Sequence, residues 1–411
     1  MKKIVLKRAV LGLLASSTLF ASGWRIPEQS LNSLALSAAY VANANGADAS
    51  YYNPSNMSWN EDVNQIEGDL TYIFLPKISY KDSANPLFDA KSKSEDFLVP
   101  TLFFSSKKYG NIRYGFSLTA PGGLSKRWDA PYQKASAQEF SLKIIEFNPS
   151  ISYEFNPKFS VGAGLRVVYS DGVVRSDASG VGTNIQRDLK GDTIKLGYNL
   201  ALSYKPNDRS AFAITYRSNV DLNEKGNARL YLSGTKVYDG GASVKVPLPA
   251  VLALATSYRL NDTTIELEYD KTYWSKYKNL DFNYKSPIPA ILVPVFDNPI
   301  PRNWKNTDTF RIGLTHQYSD KLKLMAGFAI DETPAPSQVL GFELPDSDAK
   351  LYSCGFEYKI NSNLKVGLSY LYDSKKKRTV HNRLSPTSVN PDGTFSDGGA
   401  DLLIVGLKYK F

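Results

Sequence analysis

The residues Leu403–Phe411 set Leu403, Val405, Leu407, Tyr409 and Phe411 on one face of an extended strand, and Ile404, Gly406, Lys408 and Lys410 on the other. A period of two describes a strand between two unlike surroundings. One apolar face, one mixed face and a final aromatic residue suit the last strand of an outer-membrane β-barrel, with lipid outside and a polar lumen inside. A half-buried strand of a soluble sheet shows the same alternation, so the rest of the chain has to separate the two.

The amino end supplies a route out of the cytoplasm. Lys2, Lys3, Lys7 and Arg8 precede the apolar run 9–20, and Ala21 suits a cleavage site. This is the pattern of a signal peptide over 1–21, with the mature chain beginning at Ser22; the run is too short to span a bilayer as a helix. The longest later apolar stretches carry polar residues at alternate places. Backbone groups in lipid must be satisfied internally, which leaves a closed barrel as the spanning option. The 26 Tyr and 20 Phe can furnish its interfacial girdles. A lone Cys354 permits no internal disulfide. The net charge of +9 falls to +5 once the four signal-peptide charges are removed, which makes no case for nucleic acid as a partner.

Alternating segments separated by turn signals predict an all-β chain of fourteen antiparallel strands. They fall at 64–75, 96–105, 112–120, 139–155, 159–175, 191–205, 210–222, 248–260, 263–274, 306–319, 322–331, 350–360, 364–373 and 400–411. In the sixth, Ile194, Leu196, Tyr198, Leu200, Leu202 and Tyr204 oppose Lys195, Gly197, Asn199, Ala201 and Ser203. In the ninth, Ile265, Leu267 and Tyr269 oppose Glu266, Glu268 and Asp270. Charged inner faces of this kind are tolerated only if the inside is wet. Tight turns such as Asn156-Pro157-Lys158 and Asn361-Ser362-Asn363 alternate with long connections at 76–95, 121–138, 223–247, 275–305, 332–349 and 374–399. Short periplasmic turns and long outer loops are expected of a bacterial barrel. An even strand count returns both barrel ends to the periplasmic side.

Residues 22–60 precede the first strand. They hold the small-residue run 30–45 and then Asp48-Ala49-Ser50-Tyr51-Tyr52-Asn53-Pro54-Ser55-Asn56-Met57. Periodicity leaves a surface helix, a leader and a plug folded into the barrel all open. A fourteen-strand barrel is wide enough to leak unless filled.

This segment resembles the hatch of the FadL/TodX family of outer-membrane transporters for hydrophobic compounds, whose pattern is Asp-Ala-Ser, an aromatic pair and Asn-Pro-Ala-Gly-Met. Further matches are Thr119-Ala120-Pro121-Gly122-Gly123-Leu124-Ser125, Tyr273-Trp274-Ser275, Asn303-Trp304-Lys305-Asn306-Thr307, the run 326–334 and Leu344-Pro345-Asp346-Ser347-Asp348. The resemblance covers essentially the whole mature chain. It implies a 61–411 barrel plugged by a 22–60 hatch of short helices. It also implies capture of a hydrophobic compound by outer loops, an internal pocket, and lateral exit beside a kinked third strand. Ser55 and Asn56 depart from the usual Ala-Gly, and Ala349 stands where an Arg is common, which places the substrate rather than the fold in doubt.

Pro121-Gly122-Gly123 interrupts strand chemistry, because Pro lacks a ladder donor and paired glycines permit non-pleated conformations. The residues alone read as a strand end; with the resemblance they read as a kink and lateral gate. Replacing both glycines with Val is then expected to close the gap. Trp24 is either an apolar contact at that gap or an interfacial anchor. Asn53 and Pro54 form a hatch turn, structural first and substrate-responsive second. Arg25, whose parity is unassigned, is grouped with Lys143, Arg166, Arg217, Arg259 and Arg311, which take lumen-facing parity. These are candidates to hold a fatty-acid carboxylate, against the plainer reading of a solvated wall. The apolar loop with Ile291, Leu292, Val293 and Phe296 is either an extracellular docking patch or packed on its neighbours.

No nucleophile motif, metal-ligand spacing or phosphate loop is present in the sequence, so no enzyme, metal or cofactor is expected. The expected function is passive uptake of hydrophobic small molecules, long-chain fatty acids first and aromatic hydrocarbons second. A loop-mediated adhesin, a structural barrel and a general porin are the other readings. Outer-membrane lipid and lipopolysaccharide are the expected surroundings, and barrel-assembly machinery acting through the Phe411 strand is the expected assembly partner.

Overall fold

The computed structural model describes residues 23–385 and 388–411. The expected signal peptide over 1–21 lies outside the described residues. Fourteen antiparallel strands close into a barrel. They are β1 (Gln65–Leu75), β2 (Glu95–Ser105), β3 (Ile112–Arg127), β4 (Glu139–Asn156), β5 (Phe159–Asp177) and β6 (Ile185–Asn207). β7 runs as Ser210–Arg217 and then Val220–Leu232, and β8 as Thr235–Leu248 and then Ala250–Leu260. β9 (Thr263–Tyr273), β10 (Thr307–Gln317), β11 (Leu322–Asp331), β12 (Ala349–Lys359), β13 (Leu364–Lys375) and β14 (Gly399–Lys410) complete the wall. β14 pairs with β1 from Gln65↔Lys410 to Phe74↔Asp401, which closes the barrel.

The lipid-facing parity read from the sequence holds along the lower wall. Leu196 is 65% exposed and Leu267 51%, while their neighbours Asn199 and Glu266 are buried. Two elements differ from expectation. β3 does not stop at 120 but continues through Pro121-Gly122-Gly123 to Arg127, with a register shift between Thr119 and Gly122. Residues 223–247 are not a loop but a hairpin extension of β7 and β8, paired from Val220↔Leu248 to Leu232↔Thr235. Its polarity is inverted: Leu222, Ala228 and Leu230 are buried inside, and Lys225, Asn227 and Arg229 are exposed. An apolar-outside rule cannot find strands whose inner face is the apolar one.

Residues 24–60 pack against the inner wall. α1 (Leu31–Ala35), capped by Ser30, and α2 (Ala49–Tyr52) are followed by a 3₁₀ turn at Pro54–Trp59. Close approach explains several inward glycines. A Cβ at Gly367 would overlap Leu31, one at Gly327 the backbone of Leu36, and one at Gly162 the backbone of Pro54 and Ser55. The carboxylates of β9 are therefore not bathed in lumen water as the sequence suggested. Glu266 accepts from the N–H groups of Ala42 (2.5 Å) and Asn43 (3.1 Å), and Glu268 from that of Tyr40 (3.0 Å). Lower down, Lys408, Lys323 and Lys365 converge on Glu357 at 2.8–3.2 Å.

At the other end the long connections fold over the opening. Four short strands, Ser79–Asp82, Ala90–Lys91, Arg378–His381 and Asp392–Ser396, form a small sheet. Arg383 reaches Asp82 with both terminal nitrogens while its guanidinium lies 5.1 Å from the Tyr132 and Phe88 rings. Burial pushes the Asp82 carboxyl up, but Arg383 and the N–H groups of Ala84 and Asn85 outweigh it and hold its pKa down to about 2.

Candidate functional site

A predominantly apolar cavity lies between the hatch and the outer loops. Its floor is Trp24, 2% exposed. The indole lies 4.8 Å from the rings of Trp274 and Trp304 and 5.2 Å from that of Tyr277. Each such pair contributes roughly 0.5–1.5 kcal/mol beyond burial. The wall opposite carries a row of small residues. Gly172 on β5 pairs with Gly191 on β6, which pairs with Gly226 on β7, which pairs with Ala242 on β8. This in-register row lines the cavity; a Cβ at Gly172 would meet nothing nearer than 3.8 Å, whereas at Gly191 and Gly226 it would press on the backbone of the neighbouring strand. Leu142, Val174, Leu189 and Val246 supply apolar surface around it.

Beside this cavity the barrel wall is incomplete. β2 and β3 pair only from Leu102↔Leu118 to Ser105↔Gly115, although β2 continues up to Glu95 and β3 to Arg127. The vacated edge of β3 is taken by the chain just before α1. The N–H of Gly123 donates to Trp24 O (2.8 Å), that of Ile26 donates to Pro121 O (2.9 Å), and Arg25 bridges Gly122. Gln29 then imitates one residue of a missing strand. Its Oε1 accepts from the N–H of Ala120 (2.8 Å) and its Nε2 donates to Ala120 O (3.0 Å). Thr101 on β2 donates to Gln29 O (2.9 Å) from the far side. Residues 24–29 thus fill the gap. Gly122 and Gly123 do not adopt left-handed backbone. Gly122 serves close approach instead: a Cβ there would lie 2.8 Å from Trp24 O.

Beneath this segment lies a smaller, more polar cavity holding Arg25, Arg166 and Arg217. Each is engaged by the protein. Arg25 donates to Asp270 (3.0 Å). Arg166 donates to Glu146 (2.9 Å) and to Ser218 O (2.5 Å). Arg217 bonds Glu146 and Tyr51 O and stacks 4.2 Å from the Tyr51 ring. Arg311 lies 3.5 Å from Asp270 and 3.6 Å from Glu28. Burial pushes the Glu28 carboxyl above its ordinary range, opposed by Arg311.

The expected site residues divide accordingly. Trp24, Pro121, Gly122 and Gly123 meet at the gap, with Arg25 immediately beneath. Arg166 lines the lower cavity, whereas Arg259 is exposed near a turn. Asn53 and Pro54 sit on the β5–β6 wall, where the Asn53 amide ties Val41 O (2.8 Å) to Ser203 (2.9 Å). Lys143 is a correction. It shares strand parity with the lipid-facing Phe147, while Leu142 and Ile144 point inward. At cavity height the inner face is apolar, so the polar-inside rule assigns the wrong side. In the 290–296 turns, Leu292 and Phe296 are buried, Val293 is half-buried and Ile291 is 67% exposed. Sequence reasoning gave no site role to Gln29, Tyr277 or the glycine row, and cited Trp274 and Trp304 only within motifs. The recurrence of Trp in two distant connections was the available signal.

The family described as outer membrane protein transport protein (OMPP1/FadL/TodX) matches residues 12–411. The chain belongs to this family. It is therefore an outer-membrane protein of a transport family rather than an enzyme family. Among OMPP1/FadL/TodX relatives, the long-chain fatty acid transport protein of Salmonella typhi is 23% identical, with 73% of this chain and 75% of the relative covered. A Pseudomonas aeruginosa FadL homologue shares the fold with a TM-score of 0.83 at 18% identity, over 95% of this chain and all of the other. The P. putida toluene transporter TodX gives 0.72 at 18% identity, over 93% and 98%.

Proposed function

We propose that this protein is a passive channel carrying hydrophobic compounds, long-chain fatty acids foremost, from the exterior into the outer membrane. Cargo enters the apolar cavity through the outer loops and leaves sideways between β2 and β3. One observation carries this reading: the segment that floors the cavity is the segment that plugs the wall gap. Lifting Trp24–Gln29 opens both at once. The downward route is unfavourable by comparison, because the next cavity is lined by paired arginines and carboxylates. Exposing each CH₂ there costs about 0.8 kcal/mol, or roughly 12 kcal/mol as an upper figure for a sixteen-carbon chain. A relative named as a long-chain fatty acid transporter supports the acyl cargo. The rings of Trp24, Trp304, Tyr277 and Phe282 around the cavity suit aromatic hydrocarbons as the second class. Lipid and lipopolysaccharide surround the wall in this reading, and the Phe411 strand is the handle for assembly.

The test is purification in mild detergent followed by mass spectrometry of the retained small molecules, with uptake of labelled palmitate and toluene by cells with and without the protein. Retained acyl compounds and protein-dependent palmitate uptake are expected. Uptake of both probes at the same rate without the protein would overturn the proposal.

A further inference from the structure

Glu224 is a carboxylate in an apolar cavity. It lies on the inner face of β7, is 2% exposed, and lines the cavity within two positions of Gly226. One oxygen accepts the hydroxyl of Ser170. The other is buried and has no hydrogen-bond partner among the described residues. Of the other charged lining residues, Arg302 lies 2.8 Å from Glu343 and Lys190 is exposed. A buried carboxylate oxygen without a donor carries a desolvation penalty, and a ligand that supplies the donor removes it. The apolar surroundings select the remainder of that ligand.

We infer that Glu224 is the polar recognition point of this cavity, accepting a hydrogen bond from an O–H or N–H headgroup on an apolar body. A long-chain alcohol, an amine, or a fatty acid in its neutral form meets that description. An alkane or an ester, which donates nothing, does not. The inference rests on the hydrophobic-transport reading and adds headgroup selectivity to it. The Gly172–Gly191–Gly226 row places the headgroup against bare backbone, so no side chain on that row competes for the Glu224 oxygen.

The experiment is equilibrium binding of ten-carbon ligands to the full-length protein in detergent, read by quenching of tryptophan emission with 1-decanol, decylamine, decane and methyl decanoate. At pH 9, above the value of about 7 to which burial raises the Glu224 carboxyl, decanol and decylamine are expected to bind tighter than decane and the ester by roughly ten- to a hundredfold, the range of a hydrogen bond to a charged group. Glu224→Leu should abolish that difference. Glu224→Gln, which keeps an acceptor but not the charge, should spare decanol more than decylamine. Circular dichroism and heat-modified gel migration establish that each variant has a closed barrel; Gln, nearly isosteric, stands in if Leu fails to assemble. Equal binding of all four ligands by the wild type would overturn the inference while leaving the transport reading intact. Binding of none of them would overturn both.

Discussion

A single methyl group at Gly122 probes the proposed gate most directly. The added Cβ would lie 2.8 Å from Trp24 O and 3.1 Å from Ile144 Cδ1. The first contact is to backbone, so the 24–26 segment has to lift by some tenths of an ångström. That stretches the Gly123–Trp24 and Ile26–Pro121 hydrogen bonds, now 2.8 and 2.9 Å. Each is worth about 1 kcal/mol net, so losing most of both shifts the seated-to-lifted equilibrium by about 2 kcal/mol, or roughly 30-fold. The ring contacts of Trp24 are additional and oppose complete withdrawal. Gly122→Ala should therefore accelerate release of a preloaded fluorescent fatty acid into acceptor vesicles by roughly 10- to 30-fold, if lifting limits release. Gly68→Ala, on the outer face of β1, is the control, because its Cβ would meet nothing within 4 Å. Equal release rates in the two variants would refute the coupling of floor and gate. The double Val change, expected from the sequence to seal the wall, acquires the opposite sign: it pushes away the segment that already seals it.

Gln29→Leu removes both bonds to Ala120 and leaves two backbone groups without their partner. A loss of about 1–3 kcal/mol in seating is expected, read as faster hydrogen exchange at Ala120 than at Leu118. Deleting 22–53 strips Glu266 and Glu268 of their backbone donors and takes Arg25 from Asp270. It should raise single-channel conductance in planar bilayers while ending selective palmitate uptake; unchanged conductance would count against the hatch as the plug. The Asp82–Arg383 contact has a definite pH window. With its pKa held at about 2, Asp82 contributes stability present above its ordinary 3.8 and lost as pH falls through 2. Acid-active protease should cut the outer sheet faster at pH 2 than at pH 5, and Asp82→Asn should reduce that difference.

The strand order was legible because lipid enforces a simple rule on the lower wall, where Leu196 and Leu267 alternate with Asn199 and Glu266. Legibility failed where water replaces lipid or a ligand cavity replaces the polar interior. There Leu142 and Ile144 face in, Lys143 faces out, and the 223–247 hairpin loses its signature. The gap at Pro121 was visible as a break in ladder chemistry. What fills it was not, because Gln29 meets Ala120 across ninety-one positions of chain. The carboxylates of β9 read as wetted groups for the same reason: their donors, Tyr40, Ala42 and Asn43, are backbone groups that no side-chain pattern announces.

The glycines beneath the hatch bear on how the molecule is made. Leu31 fits over Gly367 on β13 and against Gly406 on β14, and its N–H donates to Asp69 on β1 (3.3 Å). Those three strands flank the seam where first and last strands meet. The seating of α1 and the zipping of that seam thus share the same few contacts. A cylinder zipped while vacant would have to admit a folded segment afterwards, past walls with no slack at Gly327 and Gly162. Hatch and seam are therefore fitted to one another: the side chain that seats α1 also occupies the space that the glycines of β13 and β14 leave beside the closing strand pair.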